Sequence, residues 1–325
     1  VVFYGKKMDI LKNIEADNLN LSNNEIIELL NIKNNSKDYY HLLYISSELS
    51  KSKFNEKGYV FAQIGINAGP CSVNCRFCSM GAGHYSLESM WEKDAETLHS
   101  EIRRIQKLDI NDLFLMTTAD YPIGKFLDIS ENVKLLLKDN QRFVANIGDF
   151  DVETARNLKS LGFTGVYHIN RLREGIDTKV QPIERGNTIE AAKIAGLEIY
   201  YCIEPIGPEH SYDEIAAEIK RARDLRIEVM AVMRRTPVPG TPLYKLGKIS
   251  AAELTKIVAI TNIVVNPARS MNVHEPTQMA LLAGVNQLYA EIGANPRDTE
   301  SNTETSRGFT PDKAWEMLWE GGYYK

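Results

Sequence analysis

The sequence predicts an α/β fold: a parallel (β/α)8 barrel of the TIM type, with N-terminal helices and a C-terminal helical extension. Three observations carry that prediction. From Tyr59 onward, eight short apolar runs alternate with amphipathic stretches of helical period. Those stretches carry helix start and stop signals, and a cysteine-rich loop follows the first run, where parallel barrels place their chemistry. At 325 residues the chain is long enough to bury the core of one large barrel.

Taken in order, residues 1–57 read as two or three polar helices forming a cap. Ser22-x-x-Glu25 is a capping box ahead of Ile26, Ile27, Leu29 and Leu30. The barrel is assigned to 58–293, with strands at 59–66, 112–117, 143–147, 165–170, 197–204, 227–233, 268–274 and 285–291. Between them, Leu98, Ile102, Ile105 and Leu108 form one helical stripe. Ser211-x-x-Glu214 and Ser250-x-x-Glu253 read as further capping boxes, and Gly162 and Gly196 fall where helices end. Residues 294–325 read as a polar loop and a last helix opened by Thr310-Pro311, with Trp315 and Trp319 expected to pack on the barrel.

Composition narrows the function classes. Apolar residues make up 43% and charged residues 25%, and a net charge of -5 gives no general attraction to nucleic acid or an anionic membrane. No apolar run approaches the length that spans a bilayer, and the N-terminus lacks a signal-peptide pattern, so a cytoplasmic protein is expected. Four cysteines, three of them clustered, make a poor disulfide framework and a better metal or cluster site.

The cluster is Cys71-Ser72-Val73-Asn74-Cys75-Arg76-Phe77-Cys78. Three thiolates at this spacing hold three corners of a [4Fe–4S] cluster and leave one iron open to a further ligand. Structural zinc is the alternative, and it needs Cys202 or His84 as a fourth ligand.

The C-x3-C-x2-C spacing, with Phe77 before the last cysteine, resembles the radical S-adenosylmethionine (SAM) superfamily. Over roughly 55–295 the order and spacing of elements resemble its biotin-synthase-like branch. Gly240-Thr241-Pro242-Leu243 and Ala283-Gly284-Val285-Asn286 match landmarks of that branch. The resemblance implies an enzyme with a [4Fe–4S] cluster on Cys71, Cys75 and Cys78 that cleaves SAM reductively to methionine and a 5′-deoxyadenosyl radical. It also implies a low-potential electron donor such as flavodoxin or ferredoxin. By the same resemblance Phe77 lies beside the adenine, and Thr117 and Thr118, helped by Asp120, hold the SAM amino group. Asn170 contacts the ribose with Arg173 and Glu174 nearby, and Arg185 clamps the carboxylate.

Biotin synthase itself uses a second cluster, whose cysteines align with Leu115, Val144 and Tyr200, so sulfur insertion is disfavoured whatever Arg269 does. Period-two alternation puts Thr117, Asn146, His168, Tyr200, Cys202, Glu204, Met233 and Arg235 on the inward face. So many polar groups imply a small polar substrate. Asn146, His168, Tyr200, Glu204, Arg235 and the loop residue His274 are its candidate contacts, against the alternative of a structural Arg–Glu pair. The Gly81-Ala82-Gly83-His84 stretch and the missing auxiliary ligands resemble the HmdB (HcgA) group, which implies biosynthesis of the iron–guanylylpyridinol cofactor of [Fe]-hydrogenase. HydE-like and methylornithine-synthase-like chemistry are alternatives. A non-catalytic barrel carrying an iron–sulfur or zinc site is the alternative of another class.

Overall fold

The computed structural model describes residues 2–85, 90–274, 277–290 and 310–325, with side chains from residue 9 onward. Three helices come first: α1 (Val2–Glu15), α2 (Asn23–Leu30) and α3 (Lys37–Phe54). The barrel strands are β1 (Tyr59–Gly65), β4 (Asp112–Met116), β5 (Arg142–Asn146), β6 (Gly165–Tyr167), β7 (Glu198–Ile206), β8 (Val229–Arg234), β9 (Ser270–Val273) and β10 (Gln287–Ala290). All eight pair in parallel and close in the order β1-β10-β9-β8-β7-β6-β5-β4, which is the predicted (β/α)8 barrel. A short antiparallel pair that the sequence did not suggest, β2 (Asn67–Ala68) with β3 (Trp91–Glu92), flanks the cysteine loop.

Helices α4 (Ala95–Gln106), α5 (Ile123–Lys134), α6 (Val152–Ser160), α7 (Pro182–Ile194), α8 (Tyr212–Leu225) and α9 (Ala251–Val265) connect the strands. Short α10 (Gln278–Leu281) precedes β10, and α11 (Pro311–Glu320) follows the barrel. Ser22 and Ser211 close full capping boxes, and Gly162 and Gly196 take positive φ just past their helices. Ser250 caps α9, but Glu253 does not return to it. Its carboxylate instead accepts from Asn34 (2.8 Å) and Tyr212 (2.9 Å), so tertiary partners outcompete the local box.

Helix α9 is apolar on nearly every side because it lies between the barrel wall and α3. Among its buried polar side chains, Asn262 donates to Ser46 Oγ and Ser50 Oγ, both at 2.9 Å. Gly284 sits against the same serines at φ +86, and a Cβ there would stand 2.6 Å from Ser50 Oγ. Asn286 ties three strand starts together, donating to Lys57 O (2.9 Å) and accepting from Met271 N (2.9 Å). These contacts give the Ala283-to-Asn286 landmark its structural reason.

Of the two tryptophans on α11, Trp315 packs, donating to Asp109 O at 2.7 Å, whereas Trp319 is 66% exposed. The expectation that both pack is corrected: the helix lies with one narrow stripe against β1 and β10, and Trp319 falls outside it. The polar loop assigned to 294–309 lies outside the described residues.

The amino ends of the strands meet in a buried polar layer. Arg269 grips Asp112 bidentately (2.8 and 2.7 Å), Gln287 donates to the same carboxylate (2.8 Å), and Tyr200 reaches it at 3.3 Å. Arg142 donates to the Tyr200 hydroxyl (2.9 Å) and pairs with Glu198, while the Arg269 guanidinium lies 4.1 Å over the Tyr59 ring. This layer fills one end of the barrel and leaves the opposite end for chemistry. Removing the shared acceptor leaves a buried guanidinium without its partner. Asp112→Ala should therefore cost about 3–5 kcal/mol, seen as a lower denaturant midpoint at unchanged m-value. A loss below about 1 kcal/mol would show that the layer is incidental.

Candidate active site

The cysteine loop leaves β1 at the carboxyl end of the barrel and is braced from three sides. Asp120 accepts from Ser72 N (2.6 Å) and from its hydroxyl. Asp177 O accepts from Arg76 N (2.9 Å), and Val73 O accepts from Lys179 N (2.8 Å). Leu243 N donates to Arg76 O (3.1 Å), so the Gly240-to-Leu243 turn is docked on the loop, with Gly240 at φ +84. Inside the loop, Asn74 takes φ +50 and its side chain accepts from Gly83 N at 2.8 Å. Asp120, expected near a SAM amino group, is thus engaged in holding Ser72.

Two cavities adjoin at Cys78. The first is lined by Cys71, Cys75, Cys78, Thr117, Thr118, Asn146, Arg171 and Arg185 among others. The second is lined by Phe77, Cys78, Glu204, Met233, Arg235 and Val238 among others. Burial raises the Cys71 and Cys75 thiols, with their neighbouring thiols adding to it, while Arg171 opposes the rise at Cys75.

Among the described residues, no set of Cys, His, Asp or Glu ligand atoms lying within 4.8 Å of one another includes the three loop thiols. One tetrahedral zinc would draw its sulfurs to about 3.8 Å from each other, so the wider spread suits the corners of a larger cluster. His84, the candidate fourth zinc ligand, instead hydrogen-bonds Cys78 O at 2.9 Å.

Several expected residues come together here. Thr117, Thr118, Asn146 and Arg185 line the first cavity with the cysteines, and Phe77, Glu204 and Arg235 line the second. Others do not. Arg173 turns away to Glu214 (2.7 Å) and Glu209 O (2.7 Å), because its αL backbone aims the side chain along the outer loop. Tyr200 belongs to the layer at the other end of the barrel. His168 is buried against Asp149 at 2.9 Å and lines neither cavity. Arg235 is held by Glu209 and by Gly247 O (2.9 Å), so the structural Arg–Glu pair is the outcome, with Glu209 rather than Glu204 as partner. Asn170 is buried and lines neither cavity, and its Oδ1 meets no donor among the described residues. His274 stands with Cys202 and Glu204 inside the barrel.

The inward phase of two strands also differs from expectation. On β4, Phe114 rather than Leu115 faces the interior, with ring centroids 4.9 Å from Phe61 and 5.2 Å from Tyr200. On β6, Tyr167 rather than His168 faces in, 5.4 Å from the His274 ring.

Two residues that sequence reasoning missed organise the first cavity. Arg171 is buried between Cys75, Glu204 and Glu174, reaching Glu204 at 3.6 Å. Asp149 accepts from Arg185 (2.7 Å), His168 (2.9 Å) and Thr188 (3.2 Å). Glu174 completes the arrangement, accepting from Arg171 N (2.9 Å) and from Thr178, with Arg185 Nε at 3.5 Å. Its carboxylate positions Arg185 rather than entering a cavity. Extending the Tyr167 phase by four residues would have pointed to Arg171.

No known family profile matches the chain. Biotin synthase from Clostridioides difficile (strain 630) is 24% identical over 269 residues, covering 78% of this chain and 81% of the relative. Biotin synthase from Pelotomaculum thermopropionicum is 28% identical over 244 residues, covering 69% and 74%. The crystal structure of HydG, a maturase of the [FeFe]-hydrogenase, superposes with a TM-score of 0.83 at 16% identity over 98% of this chain and 75% of that one. Methylornithine synthase (PylB) gives 0.82 at 15% identity, over 98% and 96%. The barrel and its cysteine loop, with these relatives, define a radical SAM enzyme. Within that superfamily these relatives indicate the biotin-synthase-like branch. Enzymes of this branch use a [4Fe–4S] cluster and SAM, and the thiol spread and the cavity arginines fit both.

Burial would raise the Asp149 carboxyl, but hydrogen bonds from His168 and Arg185 outweigh it and hold it at about 2, below its ordinary 3.8. Burial keeps His168 neutral near pH 7, so Arg185 is the charged partner. A depressed carboxyl stabilises the fold above its unfolded pKa and loses that contribution as pH falls through the folded one. With the carboxylate 30% exposed, the contribution is at most about 2 kcal/mol. Asp149→Asn should remove it at neutral pH and flatten the loss of stability between about pH 4 and about pH 2. Denaturant titrations of both proteins across that range test this, and parallel profiles would refute it.

Proposed function

We propose that Cys71, Cys75 and Cys78 carry the cluster, that SAM binds across the two adjoining cavities, and that the substrate is a small polar metabolite in a cofactor-biosynthetic reaction of the HmdB kind. The observation that carries this is the single cavity that the three thiols share with Thr117, Asn146 and Arg185. When bound, the cluster and SAM together supply a one-electron cleavage whose 5′-deoxyadenosyl radical removes hydrogen from a substrate C–H bond.

The chain's own residues bind, orient and exclude. Arg185, fixed by Asp149 and Glu174, offers a preoriented guanidinium for a carboxylate. Thr118 is held in place by Asn67, which donates to its hydroxyl at 2.9 Å, and Asn146 by Gln63 at 3.0 Å. Phe77 covers the second cavity beside Cys78 and keeps water from that wall. The Gly240-to-Leu243 turn and the Asp120 contact hold the loop rigid around its ligands. Of the chain's four cysteines only Cys202 lies outside the loop, so three interior thiols for a second cluster are lacking and sulfur donation from one is disfavoured. The Gly81-to-His84 stretch and this lack support the HmdB-like substrate class.

Two outcomes are expected. Anaerobically reconstituted protein given SAM and dithionite should release 5′-deoxyadenosine and methionine, and Cys75→Ala should lose both cluster iron and that activity. An intact [4Fe–4S] spectrum without SAM cleavage would move the protein to a non-catalytic role. Arg185→Ala should weaken SAM binding about 10- to 100-fold at unchanged iron and sulfide content, as for loss of a charged hydrogen bond. Unchanged SAM affinity would pass the carboxylate contact to Arg171.

A further inference from the structure

We propose that Cys202, Glu204 and His274 form a second metal site inside the barrel, for one borderline divalent cation such as Zn²⁺ or Fe²⁺. Cys202 and Glu204 are successive inward residues of β7, and His274 follows β9. Their ligand atoms lie within 4.8 Å of one another, and His274 Nδ1 stands 3.9 Å from Glu204 Oε2. A thiolate, a carboxylate and an imidazole are the donors such ions take, and three protein ligands leave a position open.

Burial and charge bear on the same site. Glu204 is 2% exposed, and its Oε1 makes no hydrogen bond of ordinary length among the described residues, facing only the Arg171 Nε. Arg171 stands 3.6 Å away, but its charge is shared with Cys75 and Glu174. A buried thiol beside a buried carboxylate is costly once ionised, unless a cation lies between them. A divalent ion that displaces the Cys202 proton meets one thiolate and one carboxylate, and the charges cancel. The surroundings suit ligands held in place: the Cys202 thiol lies within reach of both the Tyr167 hydroxyl and the Glu204 carboxylate, and the Tyr167 and Phe61 rings flank His274 at 5.4 and 6.0 Å. Glu204 also lines the second cavity, so the open position faces space where a substrate carboxylate, hydroxyl or thiol can complete the coordination. This set shares no residue with the cysteine loop.

The test uses the full chain with its [4Fe–4S] cluster reconstituted, exposed anaerobically to Zn²⁺ and desalted. Metal analysis should find about one zinc per chain beyond the cluster iron, and zinc-edge X-ray absorption should show a single sulfur with nitrogen and oxygen ligands. Cys202→Ser and His274→Ala should each lose the zinc while keeping iron and sulfide. If the buried Cys202 variant fails to fold, His274→Ala, at the more open position, decides the matter. Zinc retained in His274→Ala, zinc surrounded by several sulfurs, or no zinc retained by the unaltered protein would each overturn the proposal. Neither readout depends on SAM cleavage, so such a failure leaves the cysteine-loop reading standing.

Discussion

A closed parallel sheet sends all its carboxyl ends one way, and this constraint decides where every functional group of the molecule can be. The Asp112 layer makes the constraint effective, because it fills the amino end with paired polar groups and leaves the carboxyl end to open into cavities. The cysteine loop leaves β1, Thr117 and Thr118 follow β4, Asn146 ends β5, Arg171 follows β6, Glu204 lies on β7 and His274 follows β9. Residues more than two hundred positions apart thus reach one space without any long excursion of the chain. Around β7 the register against β8 shifts between Ile203 and Ile206, next to Glu204, an irregularity of the kind that re-aims side chains beside active sites.

Arg171 holds the carboxyl-end arrangement together electrostatically. Burial alone would lower its pKa, but the charges of Cys75, Glu204 and Glu174 outweigh that and raise it. One guanidinium therefore links the cysteine loop to β7, while Glu174 links the same arginine's loop to Arg185. Neither cavity is electrostatically independent of the other, and a change at Glu204 is felt at Cys75.

The eight strands were legible because each is a short apolar run bounded by turn or cap residues, and the cysteine loop because its spacing is rare. What sequence did not give was phase. Asp112 faces inward only because Arg269, Tyr200 and Gln287 arrive at the same height from other strands, and no local pattern in β4 announces them. Once that phase is set, Phe114 faces in and Leu115 does not. On β6 the same uncertainty favoured His168 over Tyr167 and so hid Arg171, while Arg173, close by in the chain, carried an attractive charge that its αL backbone turns outward. Asp149 was missed for another reason: it lies in a loop, and its importance comes entirely from Arg185 and His168.

The charge balance around the cavities explains why such a site should gather cations. Arg171 and Arg185 face Asp149, Glu174 and Glu204, so carboxylates outnumber guanidiniums before any thiol ionises. His168 adds nothing near neutral pH, since burial keeps it uncharged. Arg235 adds nothing either, because Glu209 neutralises it. Each cysteine that becomes a thiolate deepens the deficit, and burial makes each ionisation costly in the absence of a metal. Iron at the loop thiols and a sulfonium beside them would relieve that cost, because both would bring positive charge to where carboxylates outnumber guanidiniums. The same logic extends to Cys202 and Glu204, whose shared neighbour Arg171 is already committed to the loop.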